Sequence, residues 1–144
     1  MDRHGLPLAS NQVRFSLLAL EPETSGLLDA CRQQTITLIA FSPLAQGLLT
    51  GKYGDGHRPP GMRRWMAARV PPDQLARLLD LLRQIGREHA GKTPAQVALN
   101  WVIAKGAVAI PGAKNAAQAT ENAGALGWQL SPQEVAALDK AAAP

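Results

Sequence analysis

The stretch that decides the fold is FSPLAQGLLTGKY, Phe41–Tyr53. It begins as the end of an apolar run, Ile36–Phe41, and then breaks into Ser42, Pro43, two glycines, Thr50 and Lys52. A short, nearly unbroken apolar run suits a strand covered on both faces, as in a parallel sheet. The residues after it form a loop in which glycine lets a ligand approach the backbone closely. Backbone N–H groups, a Ser hydroxyl and one Lys together make a phosphate cradle. The loop is not a Walker A motif: three residues separate Gly47 from Gly51, and Tyr53 follows Lys52 where Ser or Thr would stand. Taken alone, the stretch also reads as an ordinary strand-to-helix turn.

Working outward, the pattern recurs. Ser10–Leu20 mixes alternation with aromatic and branched residues, which predicts a strand near Gln12–Ser16 ended by Glu21-Pro22-Glu23. A helix is expected over Ser25–Gln34, with Leu27, Leu28 and Cys31 at helical spacing. Asp55–Trp65, rich in Gly, Pro and Arg, reads as an irregular excursion. Pro71-Pro72-Asp73 opens a helix whose Leu75, Leu78, Leu79, Leu82 and Ile85 share one stripe. Thr93-Pro94 starts another, with Val97, Ala98, Trp101 and Val102 as its buried side and Gly106 as its stop. Ala107–Ile110 is a third short buried strand, followed by PGAKN and a helix over Ala116–Ala125. Ser131-Pro132-Gln133-Glu134 is a capping box that opens the last helix.

Strand, helix, strand, loop, helices, strand, helix gives three βα units, hence parallel strands with right-handed crossovers. In such folds ligands sit at the C-terminal ends of the strands. Ile110–Asn122 repeats the design of the opening stretch. Gly112 and Ala113 expose backbone at a helix start, Lys114 adds charge, and Gln118, Glu121 and Asn122 share one helical face. Two neighbouring strand ends that each carry a lysine suit one extended ligand with separated phosphates, such as a dinucleotide bearing a third phosphate.

Composition narrows the classes. The 144 residues carry a formal charge of +4 and are 46% hydrophobic, enough for a core and a single domain. Lys and Arg are scattered, with no run longer than Arg63-Arg64, and aromatics make up 4%, which argues against nucleic acid. One cysteine, Cys31, allows no internal disulfide and fits a reducing compartment. No apolar run approaches the ~18 residues of a membrane span. Read from Met1, the N-terminus has no apolar signal core, so a cytoplasmic location is expected.

The segments GLPLASNQVRFSLL, SPLAQGLLTGK, KTPAQVALNWVIAKGAVAIPGAK with its following Glu121-Asn122 pair, and LSPQEVAALD resemble the C-terminal part of an aldo-keto reductase. The resemblance runs through nearly the whole chain in the family's order. It implies an α/β fold, a partial (β/α)8 TIM barrel of about three parallel strands with helices, corresponding to the last three βα units and the cofactor-binding half. It implies NADPH as cofactor. Gln12, at the end of the first strand, would hydrogen-bond the nicotinamide carboxamide, and Phe41 would stack on the nicotinamide ring. Ser42, Pro43, Leu44, Gly47 and Lys52 would line the pyrophosphate, beside the second loop's Gly112 and Ala113. Lys114 would meet the 2′-phosphate, with Asn115 and Gln118 standing where relatives often carry basic residues. Glu121 and Asn122 would face the adenine.

The family's catalytic Tyr, Lys, Asp and His belong to its first half, and nothing here matches that half. No catalytic or metal-binding residue is therefore assigned in this chain. A small carbonyl substrate is expected only in a complete barrel, formed through self-association or with an N-terminal half. Three readings follow: part of an NADPH-dependent reductase, a non-catalytic dinucleotide-binding module, or the remnant of a truncated gene. Tyr53 is not expected to be the acid. His4, His57 and His89 read as solvated surface residues and Cys31, Trp101 and Trp128 as packing residues; Trp65, beside Arg63 and Arg64 in a loop that could reach a ligand, is not assigned to the site.

Overall fold

A computed structural model describes residues 7–53 and 70–143. Three parallel strands, β1 (Ser10–Arg14), β2 (Thr37–Phe41) and β3 (Val108–Ile110), lie in the order β1-β2-β3. Gln12 is level with Ile39 and Arg14 with Phe41; Ile39 and Phe41 are in turn level with Val108 and Ile110. A one-turn helix α1 (Glu21–Thr24) and α2 (Leu27–Gln33) join β1 to β2. A 3₁₀ segment (Ala45–Thr50), α3 (Pro72–Glu88) and α4 (Pro94–Ala104) join β2 to β3; α5 (Ala116–Ala123) and α6 (Pro132–Ala142) follow. This is the predicted α/β succession of three βα units. Asp55–Trp65, with His57, Arg63, Arg64 and Trp65, lies outside the described residues, as does His4.

The boundaries moved where local chemistry outweighed pattern. β1 ends at Arg14, because Ser16 and Ala19 pair with each other across a tight turn. Glu21-Pro22-Glu23 does not merely stop a strand; it begins α1, where Pro22 sits in the first turn without needing an N–H. Gly26, at φ 77°, then separates α1 from α2, so the helix expected from Ser25 starts at Leu27. The capping box at Ser131 forms as expected, and the cap expected at Thr93 is a second box. Thr93 and Ser131 each accept from the N3 amide, and Gln96 and Glu134 reach back to the cap.

The core lies on one side of the sheet. Leu38 and Ala40 of β2 point into it, against Leu28 and Cys31 of α2, the apolar stripe of α3, and Val97, Trp101 and Val102 of α4. Phe15 and Trp101 meet with ring centroids 5.1 Å apart. Gly86 lets α3 run against the chain that leads into α4: a Cβ there would overlap the Lys92 carbonyl, and the Lys92 amide donates to the Gly86 carbonyl at 2.8 Å. A buried side chain replaces backbone pairing in the turn before α6. Asn100 donates to the carbonyls of Ala125 and Trp128 and accepts from the Leu130 amide.

The other face of the sheet corrects the expectation of strands buried on both sides. Burial alternates along β2, and β3 is exposed at both ends. Phe41 is 40%, Val108 50% and Ile110 44% exposed. The sheet is open, and among the described residues helices cover a single side of it. The apolar run of Ile36–Phe41 therefore reports a strand built to be covered twice and covered once among the described residues.

Two polar clusters, one of them ionic, tie helices together. Lys105, at the C-terminus of α4, is 8% exposed and reaches both Glu23 (2.6 Å) and Asp139 (2.7 Å). Burial pulls its ammonium pKa down, but the hydrogen bonds to Asp139 and Glu23 outweigh that and leave it raised. His89 is not the solvated histidine expected. Its Nε2 lies 2.7 Å from Glu134 Oε1, and its ring packs 4.7 Å from that of Trp128. Burial pushes the Glu134 carboxyl up, yet hydrogen bonds from the Ser131 amide and hydroxyl and from His89 bring it below its usual value. Cys31 and Trp101 are core residues as expected, and Trp128 packs at the core's edge.

Candidate cofactor site

At the C-terminal ends of β2 and β3 the chain leaves the sheet into the two glycine-bearing loops, and a hollow of about 1020 Å³ lies between them. The first loop turns by an unusual route. Ser42 (φ 55°), Ala45 (48°) and Gln46 (55°) join Gly47 (97°) in left-handed backbone space. Buried Ala45, Leu48 and Leu49 anchor that turn to the core. Thr50 Oγ1 donates to the Gly47 carbonyl at 2.8 Å and accepts from the Lys52 amide at 3.3 Å, fixing the approach to Lys52. Gly47 faces the Tyr53 ring, where a Cβ would lie 3.4 Å from Cε2.

The second loop, Pro111–Lys114, is braced by the helix it feeds. Asn115 caps α5 by accepting from the Gln118 amide at 2.9 Å. Gln118 Oε1 in turn accepts from the Lys114 amide at 2.8 Å, and Asn122 Nδ2 donates to the Gly112 carbonyl at 3.4 Å. These side chains thus hold the loop from the helix side, and Gln118 and Asn122 also line the hollow.

Of the residues singled out in the sequence, Phe41, Ser42, Pro43, Leu44, Gly47 and Lys52 line the hollow from the first loop. Gly112, Ala113, Lys114, Gln118, Glu121 and Asn122 line it from the second. Gln12 stands apart. It lies in the middle of β1 rather than at its end, level with Ile39 and two residues short of the row that holds Phe41, and it is exposed on the bare face. The hollow also takes in Gln46, Thr50, Gly51, Tyr53, Ala95 and Pro111, which the sequence reading left unassigned. For Ala95 a signal existed: the Thr93-Pro94 cap marked a helix start, and helix starts line ligand sites. For Tyr53 the signal was its place next to Lys52.

Chemically the lining combines two ammonium groups, Lys52 and Lys114, one carboxylate, Glu121, one exposed aromatic ring, Phe41, and the backbone of two strand-to-helix turns. Such a lining can neutralise anionic groups at two places and stack a planar ring at a third. No cluster of metal-ligating side chains occurs among the described residues. No helix there is long and apolar enough to cross a membrane.

A parallel sheet with a hollow at the strand C-termini is common to α/β barrels and open α/β sheets, and comparison gives the class. The Aldo/keto reductase family profile matches residues 1–143. The chain belongs to that family. It is 44% identical over 142 residues to the chloroplastic pyridoxal reductase of Arabidopsis thaliana, a match that covers 99% of this chain and 38% of that protein. Among solved structures it resembles the glycerol dehydrogenase of Gluconobacter oxydans (TM-score 0.82, 25% identity, 96% of this chain and 43% of that one). It also resembles an aldo-keto reductase crystallised with NADPH (TM-score 0.65, 26% identity, 94% and 36%). These neighbours are (β/α)8 barrels, of which the chain spans well under half the length.

Proposed function

We propose that this chain is the NADPH-holding portion of an aldo-keto reductase, in which carbonyl reduction takes place once the barrel is complete. The observation that carries the reading is the shared hollow: lysines from two separate strand-to-helix loops line one space with an aromatic ring at the sheet end. The fit is supported by size and by donor set. About 1020 Å³ lies at the top of the range usual for small-molecule sites, as a dinucleotide requires. The two cations match a pyrophosphate and a third phosphate.

In this reading Phe41 offers its ring face to the nicotinamide, and Gln12, further down the same sheet face, fixes the carboxamide. Ser42, Pro43, Leu44, Gly47 and Lys52 hold the pyrophosphate. Lys114, carried on the Gly112-Ala113 loop, holds the 2′-phosphate, with Gln118 and Asn122 keeping that loop in place. Glu121 and Asn122 flank the adenine. When bound, NADPH supplies a hydride to a carbonyl carbon. A small aldehyde or ketone and the groups that donate its proton belong to the completed barrel, so the lone chain is expected to give no turnover. A cytoplasmic site of action is part of the same reading.

Titrating the purified chain with NADPH tests this. Fluorescence of the bound nicotinamide should change with saturation, and Lys114→Ala should weaken NADPH by roughly tenfold while leaving NADH within about twofold, the loss of one charge-assisted phosphate contact. An unchanged spectrum up to millimolar NADPH, or equal losses for both cofactors, would remove the reading.

A further inference from the structure

Three segments distant in sequence meet at one glycine of the first loop. Gly51 closes the 3₁₀ segment at φ 74°, backbone that favours a residue without a Cβ. A Cβ built there would stand 3.3 Å from Pro94 Cγ, at the start of α4, and 3.8 Å from Arg83 Nη2 of α3. Gly51 and Ala95, the residue after Pro94, both line the hollow. The Arg83 guanidinium therefore sits directly behind backbone that forms the hollow's wall, although Arg83 is not itself in the lining. Its fork is held from the helix side: Nη1 donates to Asp80 Oδ1 at 2.9 Å, one turn earlier on α3. A planar guanidinium can keep one carboxylate on one nitrogen and turn the other toward a second anion.

We propose that Arg83 is a third cation of the dinucleotide site, drawing the pyrophosphate onto the Gly51–Lys52 turn from behind the wall. The proposal rests on the NADPH reading above and adds a residue to it. Charge is the reason a third cation is needed. Among the described residues, Lys52 and Lys114 against Glu121 give the lining a net of one positive charge. NADPH brings roughly 3.5 to 4 negative charges, of which the 2′-phosphate carries about 1.5 to 2. In that reading Lys114 answers the 2′-phosphate, which leaves Lys52 alone with the pyrophosphate. A phosphate seated over Gly51 lies well inside the ~10 Å screening length of 0.1 M salt as seen from Arg83. Asp80 opposes the attraction, but its side chain is 74% exposed against 35% for Arg83, so water screens it more. The glycine belongs to the same arrangement, since a side chain at position 51 would wedge between the guanidinium and the wall.

Fluorescence titrations of the chain with NADPH and with NADH test this. At low salt Arg83→Gln should weaken both cofactors by the same factor, about fivefold, because both carry the pyrophosphate. In about 0.5 M salt the loss should shrink below about twofold. Asp80→Asn separates charge from architecture. It breaks the same ion pair but removes a negative charge, so both cofactors should bind up to about twofold tighter. A pair that merely props α3 against the loop would instead make the two variants equally weak. Melting temperatures of both variants should stay within about 3 °C of the wild type, because the pair faces solvent. Weakening by Asp80→Asn, a loss confined to NADPH, a loss that persists in high salt, a larger fall in melting temperature, or unchanged binding by Arg83→Gln each overturn the proposal. A wild-type chain that binds neither cofactor removes the NADPH reading and this proposal together. Wild-type binding that Arg83→Gln leaves unaltered removes the proposal alone.

Discussion

Helices α4 and α5 both begin with a side chain folded back onto the backbone, Thr93 in one and Asn115 in the other, and both reach the hollow. Beyond that they diverge. Seven of the eleven residues of α4 are buried, including Trp101 and Asn100, whereas none of the eight in α5 is. The amide side chains of α5 are turned to its own loop, at Lys114 and Gly112. From α4, the Asn100 amide and, at the helix end, the Lys105 ammonium reach across the molecule, to Ala125, Trp128 and Leu130 and to Glu23 and Asp139. One helix holds the fold, and the other shapes a loop that lines the hollow. Substitutions should therefore separate stability from ligand affinity along this line.

The largest effect falls on α4. Trp101→Ala removes a fully buried ring and the hydrogen bond from its indole N–H to Asp139, and should cost about 4 kcal/mol in urea unfolding. A loss under about 1 kcal/mol would mean that α4 is not the central packing element. Next is Lys105→Ala, expected to cost about 2 kcal/mol, discounted because Glu23 and Asp139 are each partly solvated. Its sign with pH is fixed. The folded pKa lies above the ordinary lysine value, so the contribution is complete below that value and disappears as pH rises through the raised one. Wild type and variant should converge in strongly alkaline buffer; divergence there would contradict the ion cluster.

Cap substitutions sharpen the contrast further. Glu134→Gln weakens a cap that His89 ties to α3, and should cost about 1 kcal/mol near neutral pH. Because the Glu134 pKa is lowered, its contribution is present above the ordinary glutamate value and fades as pH falls through the depressed one. The variant's deficit should therefore shrink in acid, which a pair of melting curves at two pH values would reveal. Asn115→Ala should cost the least in global stability, under about 0.5 kcal/mol, since α5 buries nothing that unfolds with the core. Hydrogen exchange should nonetheless speed up at Lys114 and Gln118, whose amides that network holds. Slow exchange there in the variant would count against the brace.

Much of this was legible in the sequence because its signals are local. Thr93-Pro94 and Ser131-Pro132 declare helix starts by their own hydrogen bonding, the leucines of α3 report a buried stripe, and Gly47, Gly51 and Gly112 mark the loops that follow β2 and β3. Twelve of the thirteen residues chosen for the site line one hollow because two neighbouring parallel strands deliver their C-terminal loops to the same edge. What the sequence hid was non-local. No spacing announces that His89 meets Glu134, 45 positions away, or that Asn100 holds the Ala125–Leu130 turn. The bare sheet face was equally hidden. An apolar strand reads the same whether its second cover is present or not, so Ile36–Phe41 could report only what the strand is suited to.

The left-handed turn at Ser42, Ala45 and Gln46 has a consequence for how any ligand arrives. Each of these conformations costs a side-chain-bearing residue about 1 kcal/mol or more, and core anchoring at Ala45, Leu48 and Leu49 sustains them. The chain meets that cost once, during folding, before a ligand is present. Under the proposed function, a dinucleotide reaching the loop has little backbone entropy left to quench, so its affinity should depend weakly on loop ordering and strongly on the two lysines.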